Sequence, residues 1–143
     1  MKIKDEKILE IKIGLFPRRE QLLELYTDAG WIAYTSDPDR LERAVRQSQA
    51  VYTAWDGSRL AGLLRAVGDG ETILYVQDLL VHTRYRRQGI GRALLERVRP
   101  DFAHVRQKVL LTDAGDSQAV VFYRSQEWIP AEKAGCAVFL GKS

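Results

Sequence analysis

The chain is poor in several residue types, and each scarcity excludes a class of protein. A single cysteine, Cys136, leaves no internal disulfide and no thiolate-bound metal cluster. Two histidines, His82 and His104, are too few and too far apart in sequence to suggest a zinc site, so no metal is expected. No window approaches the roughly 18 uninterrupted apolar residues of a spanning helix, and no membrane partner is expected. Residues 1–13 mix Lys, Asp and Glu with scattered Ile and Leu, a pattern unlike a signal peptide, so a soluble cytoplasmic protein is the expectation. Repeats, low-complexity tracts and Pro/Ser linkers are also missing, and one domain over residues 1–143 follows.

What is present suits a folded enzyme-sized domain. Hydrophobic residues make up 45% of the chain, enough for a core, and 29% charged residues cover its surface. Cys136 then reads as a small apolar residue of a late strand. The net charge of +3 is unevenly spread. Residues 84–99 hold six Arg and one Glu, a balance of +5, which leaves −2 for everything else. Basicity concentrated in one place fits a compact polyanionic ligand rather than a duplex backbone, so nucleic acid is not an expected partner.

Hydrophobic periodicity places the elements. Ile8, Leu9, Ile11 and Ile13 predict a first strand ended by Gly14 and Pro17. Leu22, Leu23, Leu25 and Tyr26 predict a helix over residues 21–29, and Ser36-Asp37-Pro38-Asp39 starts another that carries Leu41, Ala44 and Val45. Strands over 50–55 and 59–67 flank the hairpin turn Asp56-Gly57-Ser58, and Gly68-Asp69-Gly70 leads to a long strand over 72–82. A helix from about Gly89 buries Leu94, Leu95 and Val98, and Pro100 ends or kinks it. Val109-Leu110-Leu111 predicts a short strand, residues 116–126 a helix and residues 137–140 a last strand. The order β-α-α-β-β-β-α-β-α-β specifies a mixed α/β (α+β) sheet flanked by helices on both faces.

The segment richest in chemistry is Leu79-Leu80-Val81, a buried strand, feeding Arg86-Arg87-Gln88-Gly89-Ile90-Gly91-Arg92 at the start of a helix. Backbone N–H groups in a first helical turn lack intrahelical partners and lie at the positive end of the dipole, where a pyrophosphate binds. Gly89 and Gly91 let the backbone approach the phosphates, and the arginines match their charge. A P-loop would need Gly-Lys-Ser/Thr, but Arg92-Ala93 follows Gly91. A dinucleotide fingerprint would need a small residue at Leu94; Asp113 does fit its acidic partner in spacing, but no second nucleotide-binding half fits the chain.

The remaining pattern, Arg86-x-x-Gly89-x-Gly91 between strand and helix, resembles the acyl-CoA signature of the GNAT superfamily of N-acetyltransferases. Downstream, Asp116-x-x-Ala119-x-x-Phe122-Tyr123-x-x-x-Glu127-Trp128 resembles that family's second motif. Three positions depart from the usual pattern: Asp116 replaces Asn, Glu127 replaces Gly, and Thr83 replaces a Pro. Asp78-Leu79-Leu80-Val81, Leu111-Thr112-Asp113 and Val121-Phe122-Tyr123-Arg124 look like the serotonin N-acetyltransferases of plastids and their bacterial relatives.

The resemblance implies the GNAT fold, acetyl-CoA as cosubstrate, and direct transfer of acetyl to the primary amine of a small molecule. It implies that the backbone of Leu79, Leu80 and Val81 holds the pantetheine and that Arg86, Arg87, Gln88, Gly89, Ile90, Gly91 and Arg92 hold the pyrophosphate. Asp116, Ala119 and Tyr123 complete the implied cofactor contacts. Tyr123 stands at the position of the general acid, where a phenol of pKa about 10 suits a thiolate of similar basicity. Asp78, a carboxylate in an apolar strand, is the candidate base, with Glu71 and His82 as competitors. Trp31 and Tyr34 fall where related enzymes fold a loop over the acceptor. A protein lysine or N-terminal acetyltransferase, or a non-catalytic acyl-CoA-binding module, are the alternative readings. The family's habit of pairing through strand or helix edges is compatible with a homodimer.

Overall fold

The computed structural model describes residues 9–143, which form two compact units, 9–110 and 111–143. The expected start of the first strand at Ile8 lies outside the described residues.

The first unit is built on a five-stranded sheet of order β1-β2-β3-β4-β5. Its strands are β1 (Glu10–Ile13), β2 (Ala50–Asp56), β3 (Arg59–Gly68), β4 (Ile73–Val81) and β5 (Gln107–Leu110). The first four run antiparallel, and β5 joins β4 in parallel after a helical crossover. Gly57, with φ 60°, makes the β2–β3 hairpin, whose strands are buried along nearly their whole length. Such continuous apolar strands require cover on both faces. Helices supply it.

Three helices lie between β1 and β2: α1 (Arg19–Asp28), α2 (Ile32–Thr35) and α3 (Pro38–Gln47). The Gln21 side chain accepts from the Arg18 N–H (2.8 Å) at the start of α1. Asp37 accepts from Arg40 N–H (3.2 Å) and Pro38 fills the first turn of α3, two devices that satisfy or remove orphan donors. Leu22, Leu25, Tyr26, Leu41 and Val45 pack with Leu63 and Leu80 of the sheet. Each such side chain contributes about 1.5–3 kcal/mol on full burial. The single-turn α2 was not expected from periodicity; four residues are too few to show one.

The fourth helix, α4 (Ile90–Asp101), buries Ile90, Leu94, Leu95 and Val98. A Cβ on Gly62 would meet Ile90 and Leu94, whereas the adjacent Leu63 belongs to the cluster with α1. Successive strand residues point to opposite faces, so α1 and α4 cover opposite sides of the sheet. Pro100 does not end α4: it sits in the last turn and the helix runs through Asp101.

Two irregularities in β4 matter for function. Arg65 opposes Asp78 but Ala66 opposes Val76, so Gln77 is an extra residue, a β-bulge. Pairing with β5 stops at Val76 opposite Leu110, although β4 continues to Val81. No β5 residue pairs with residues 77–81.

In the second unit, α5 (Ser117–Ser125) is capped by Asp116, whose carboxylate accepts from Ala119 N–H (3.0 Å). A short 3₁₀ turn at Ala131–Ala134 closes on Gly135 (φ 76°), and Cys136 N–H donates to the Ala131 carbonyl (2.9 Å). The strand expected over residues 137–140 is absent, and Val138, Phe139 and Leu140 are exposed. Apolar β-formers make a strand only when their backbone pairs with a neighbour, and no ladder partner for this segment exists among the described residues. Cys136 is accordingly exposed rather than buried in a strand. The strand expected at residues 109–111 forms at Gln107–Leu110 instead.

Candidate active site

The basic loop is fixed at both flanks. Thr83 N–H and Oγ1–H donate to the Asp28 carboxylate at the end of α1 (2.8 and 2.7 Å). Proline, usual here in the resembled family, has no N–H for this contact. Burial opposes ionisation of Asp28, but the Thr83 hydrogen bonds and the nearby His82 and Arg86 outweigh it, holding this carboxyl below its usual range. Next to it, Tyr85 is buried and its hydroxyl donates to Asp56 at the β2–β3 hairpin. Burial and then Asp56 push that phenol up.

Between these ties and α4 the backbone takes unusual turns. Arg87 has φ 60° and Gly89, the residue before α4, has φ 84°. The left-handed region costs a non-glycine residue roughly 1–2 kcal/mol, and such strain collects at ligand-binding turns. The first helical bond runs from Ala93 N–H to the Gly89 carbonyl (2.9 Å), so the N–H groups of Ile90, Gly91 and Arg92 precede it. Arg86 Nε donates to the Val81 carbonyl (3.3 Å), joining the loop to the end of β4, and Arg92 pairs with Glu96 (2.8 Å). Gln88 Oε1 is buried without a hydrogen-bond partner among the described residues. A cradle of first-turn N–H groups, arginines and an orphaned acceptor fits a phosphorylated ligand that also carries donors. Leu79, Leu80 and Val81, paired with β3 but not with β5, lead into that cradle in the same unit.

Asp78 lies at the bulge and is 1% exposed. It accepts from Tyr26 Oη (2.8 Å), Tyr34 Oη (2.9 Å) and Arg65 Nε. Arg65 also reaches Ser48 Oγ (3.3 Å) and Tyr34 Oη (3.4 Å). Burial pulls the Arg65 guanidinium down, but the charge and hydrogen bond of Asp78 win and leave it above its ordinary value. Burial, reinforced by the charge of Asp78, pushes the Tyr26 phenol well above its usual range. Glu71 and His82, the competing candidate bases, are outside this network: Glu71 N–H joins the Asp69 turn, and His82 Nε2 faces Asp28 (3.6 Å) and Glu24 (3.9 Å).

Tyr26, Trp31 and Tyr34 form a three-ring cluster with centroids 5.2–5.9 Å apart. Trp31 and Tyr34 are half-buried against the core. The sequence singled out these two but missed Tyr26, Gln77 and Arg65. Arg65 had a signal, a cation within Leu63-Leu64-Arg65-Ala66-Val67, the counterpart of Asp78 in its own apolar strand. Gln77 had none, because a bulge is a property of pairing.

In the second unit Tyr123 lies on α5, half-buried, with its ring 5.3 Å from that of Phe122 at 65°. Asp116 and Ala119 bond each other in the helix cap. Glu127 has φ 67°, which accounts for the glycine the family usually places there.

Among the described residues no helix is long and apolar enough to cross a membrane. No curated protein matches the chain. The family model described as acetyltransferase (GNAT) domain matches residues 17–137. An acetyltransferase of the GNAT family from Streptococcus pneumoniae is 33% identical, with a TM-score of 0.83 over 95% of this chain and 98% of that one. An aminoglycoside acetyltransferase from an uncultured soil metagenomic sample, solved with sisomicin, is 18% identical with a TM-score of 0.73, covering 98% of this chain and 99% of its own. An aminoglycoside N-acetyltransferase solved with CoA is 13% identical with a TM-score of 0.73 over 94% and 95% of the two chains. The last two share the fold. A family match across most of the sequence, with the S. pneumoniae relative similar along nearly its whole length, makes this chain a member of the GNAT family of N-acetyltransferases.

Proposed function

We propose that the protein transfers acetyl from acetyl-CoA to the primary amine of a small aromatic or arylalkyl molecule, directly and within one ternary complex. The observation that carries this reading is the continuity of β4 and α4. At Leu79, Leu80 and Val81 the strand keeps its pairing with β3 but has no β5 partner on its other side, and the chain then turns through Gly89 into a helix start lined by Arg86, Arg87 and Arg92. The strand edge suits the amides of a pantetheine arm, and the helix start suits a pyrophosphate.

The amine nitrogen attacks the thioester carbonyl carbon, the C–S bond breaks, and one proton leaves the nitrogen while the sulfur gains one. Tyr123 supplies the proton to sulfur in this reading, supported by its place in the second motif. Asp78 is buried in an ion pair with Arg65, and we assign the departing amine proton to water rather than to this carboxylate. The half-buried Trp31 and Tyr34 rings favour an aromatic acceptor, because ring faces prefer offset or edge contacts with further rings.

Free CoA thiol, measured with acetyl-CoA and a set of amines, tests the reading. Phenethylamine is expected to turn over faster than kanamycin or a lysine peptide. Thiol release with kanamycin or the peptide alone would overturn the acceptor class, and release with none of them would overturn the transfer reading.

A further inference from the structure

The bulge at Gln77 has a chemical result. In a regular strand, neighbouring side chains point to opposite faces, but an extra residue re-aims one of them. Here Gln77 Nε2 (3.3 Å) and Asp78 Oδ1 (2.9 Å) both meet the hydroxyl of Tyr34. Tyr26, Arg65 and Asp78 are buried, Gln77 is exposed and Tyr34 is half-buried. The network thus reaches solvent at Tyr34 and Gln77.

We propose that the Tyr34 hydroxyl oxygen is the group that grips the acceptor nitrogen, and that Asp78 and Arg65 are positioning residues acting through it. This rests on the N-acetyl transfer reading above.

The phenol proton is committed to Asp78 Oδ1, so the oxygen can offer only lone pairs outward. Arg65 and Gln77 approach that oxygen at 3.4 and 3.3 Å, contacts long enough to yield to a better donor. An amine is such a donor. Held by one N–H, its nitrogen lone pair stays available for attack on the thioester. The negative charge of Asp78 polarises the phenol and strengthens it as an acceptor, while Arg65 holds the carboxylate in place. The arrangement is neutral overall, since the charges of Asp78 and Arg65 cancel. It therefore selects a monoamine through one directed hydrogen bond rather than a polycation through bulk charge. The amine proton leaves to water, and no proton moves through Tyr34.

The test is Tyr34→Phe, which keeps the ring and removes the oxygen. The kcat/KM for phenethylamine is expected to fall by roughly 10- to 100-fold, the loss of one hydrogen bond to a group gaining charge. Acetyl-CoA affinity by calorimetry should hold, the melting temperature should fall by only a few degrees as Asp78 loses one hydrogen bond, and the pH profile should drop in parallel at every pH. A kcat/KM within about twofold of the unsubstituted protein, or a loss matched by an equal loss of acetyl-CoA affinity, overturns the proposal. A profile that loses its acidic limb also overturns it, making Tyr34 part of a proton relay. A second variant, Gln77→Leu, alters an exposed position and removes the donor that competes for the Tyr34 oxygen. It should lower KM for phenethylamine, and a raised KM counts against the assignment. Failure of the unsubstituted protein to acetylate any amine would remove the underlying reading instead, a result visible before any variant is made.

Discussion

Gly62 of β3 lies directly beneath Ile90, the first residue of α4. A Cβ on Gly62 would stand 2.9 Å from Ile90 Cγ2 and 3.1 Å from the Leu80 carbonyl oxygen. The missing side chain lets the start of the loop-bearing helix settle onto the sheet beside the end of β4 that has no β5 partner. Gly62→Ala should therefore push on the first turn of α4. We expect a stability loss of about 1–3 kcal/mol, as for other overpacked sites, together with weaker acetyl-CoA binding. Thermal melts and calorimetric titration measure the two effects, and an unchanged affinity would separate Gly62 from the loop.

Arg87→Gly should divide stability from binding. Glycine relieves the φ of 60° but makes the unfolded chain more flexible, so the two effects offset and stability should stay within about 1 kcal/mol. The lost cation should weaken acetyl-CoA binding and flatten its dependence on salt. Titrations at low and high ionic strength decide this; equal affinities for variant and parent would show that Arg87 turns the backbone and nothing more.

Asp78→Asn leaves Arg65 buried without its counter-charge. Breaking one side of such a pair costs about 3–5 kcal/mol, whereas replacing both partners with apolar residues is often close to neutral. Denaturant melts should show Asp78→Asn strongly destabilised and the double variant Asp78→Leu/Arg65→Met markedly recovered. A double variant no more stable than the single one would contradict this account of the pair.

The Tyr26 phenol makes stability sensitive to alkali. Its pKa is raised on folding, so the unfolded phenol ionises near its ordinary value of about 10 while the folded one keeps its proton. Its contribution is complete below that pH and is lost as pH rises through and beyond it. Burial also raises the Tyr52, Tyr75 and Tyr85 phenols, so the informative quantity is the difference between parent and Tyr26→Phe. The variant should lose less stability than the parent between neutral pH and pH values above about 10. Parallel curves would mean that Tyr26 does not titrate on unfolding.

Tyr123→Phe should lower turnover by roughly 10²–10⁴-fold with acetyl-CoA affinity nearly unchanged, the signature of a lost general acid. Pre-steady-state and steady-state thiol release measure it. Turnover within about threefold of the parent would assign the leaving-group proton to water.

The sequence by itself determined the parts whose physics is local. Period-two and period-3.6 apolar patterns located the sheet strands and four of the five helices, because burial is written into spacing. Gly89 and the arginines announced the loop, because a left-handed turn and a charged ligand each demand particular residue types. The closing strand over residues 137–140 failed for the complementary reason: strand propensity is local, but a strand is a pairing. How Tyr34, Asp78 and Arg65 come together was decided by tertiary structure alone. Neither Arg65 nor Asp78 declares its partner in sequence, and the extra residue that turns Gln77 toward Tyr34 exists only in the register between β3 and β4. A local signal can nominate a charged residue in an apolar strand, but whether it meets substrate or a buried counter-charge depends on residues 13 to 52 positions away in the chain.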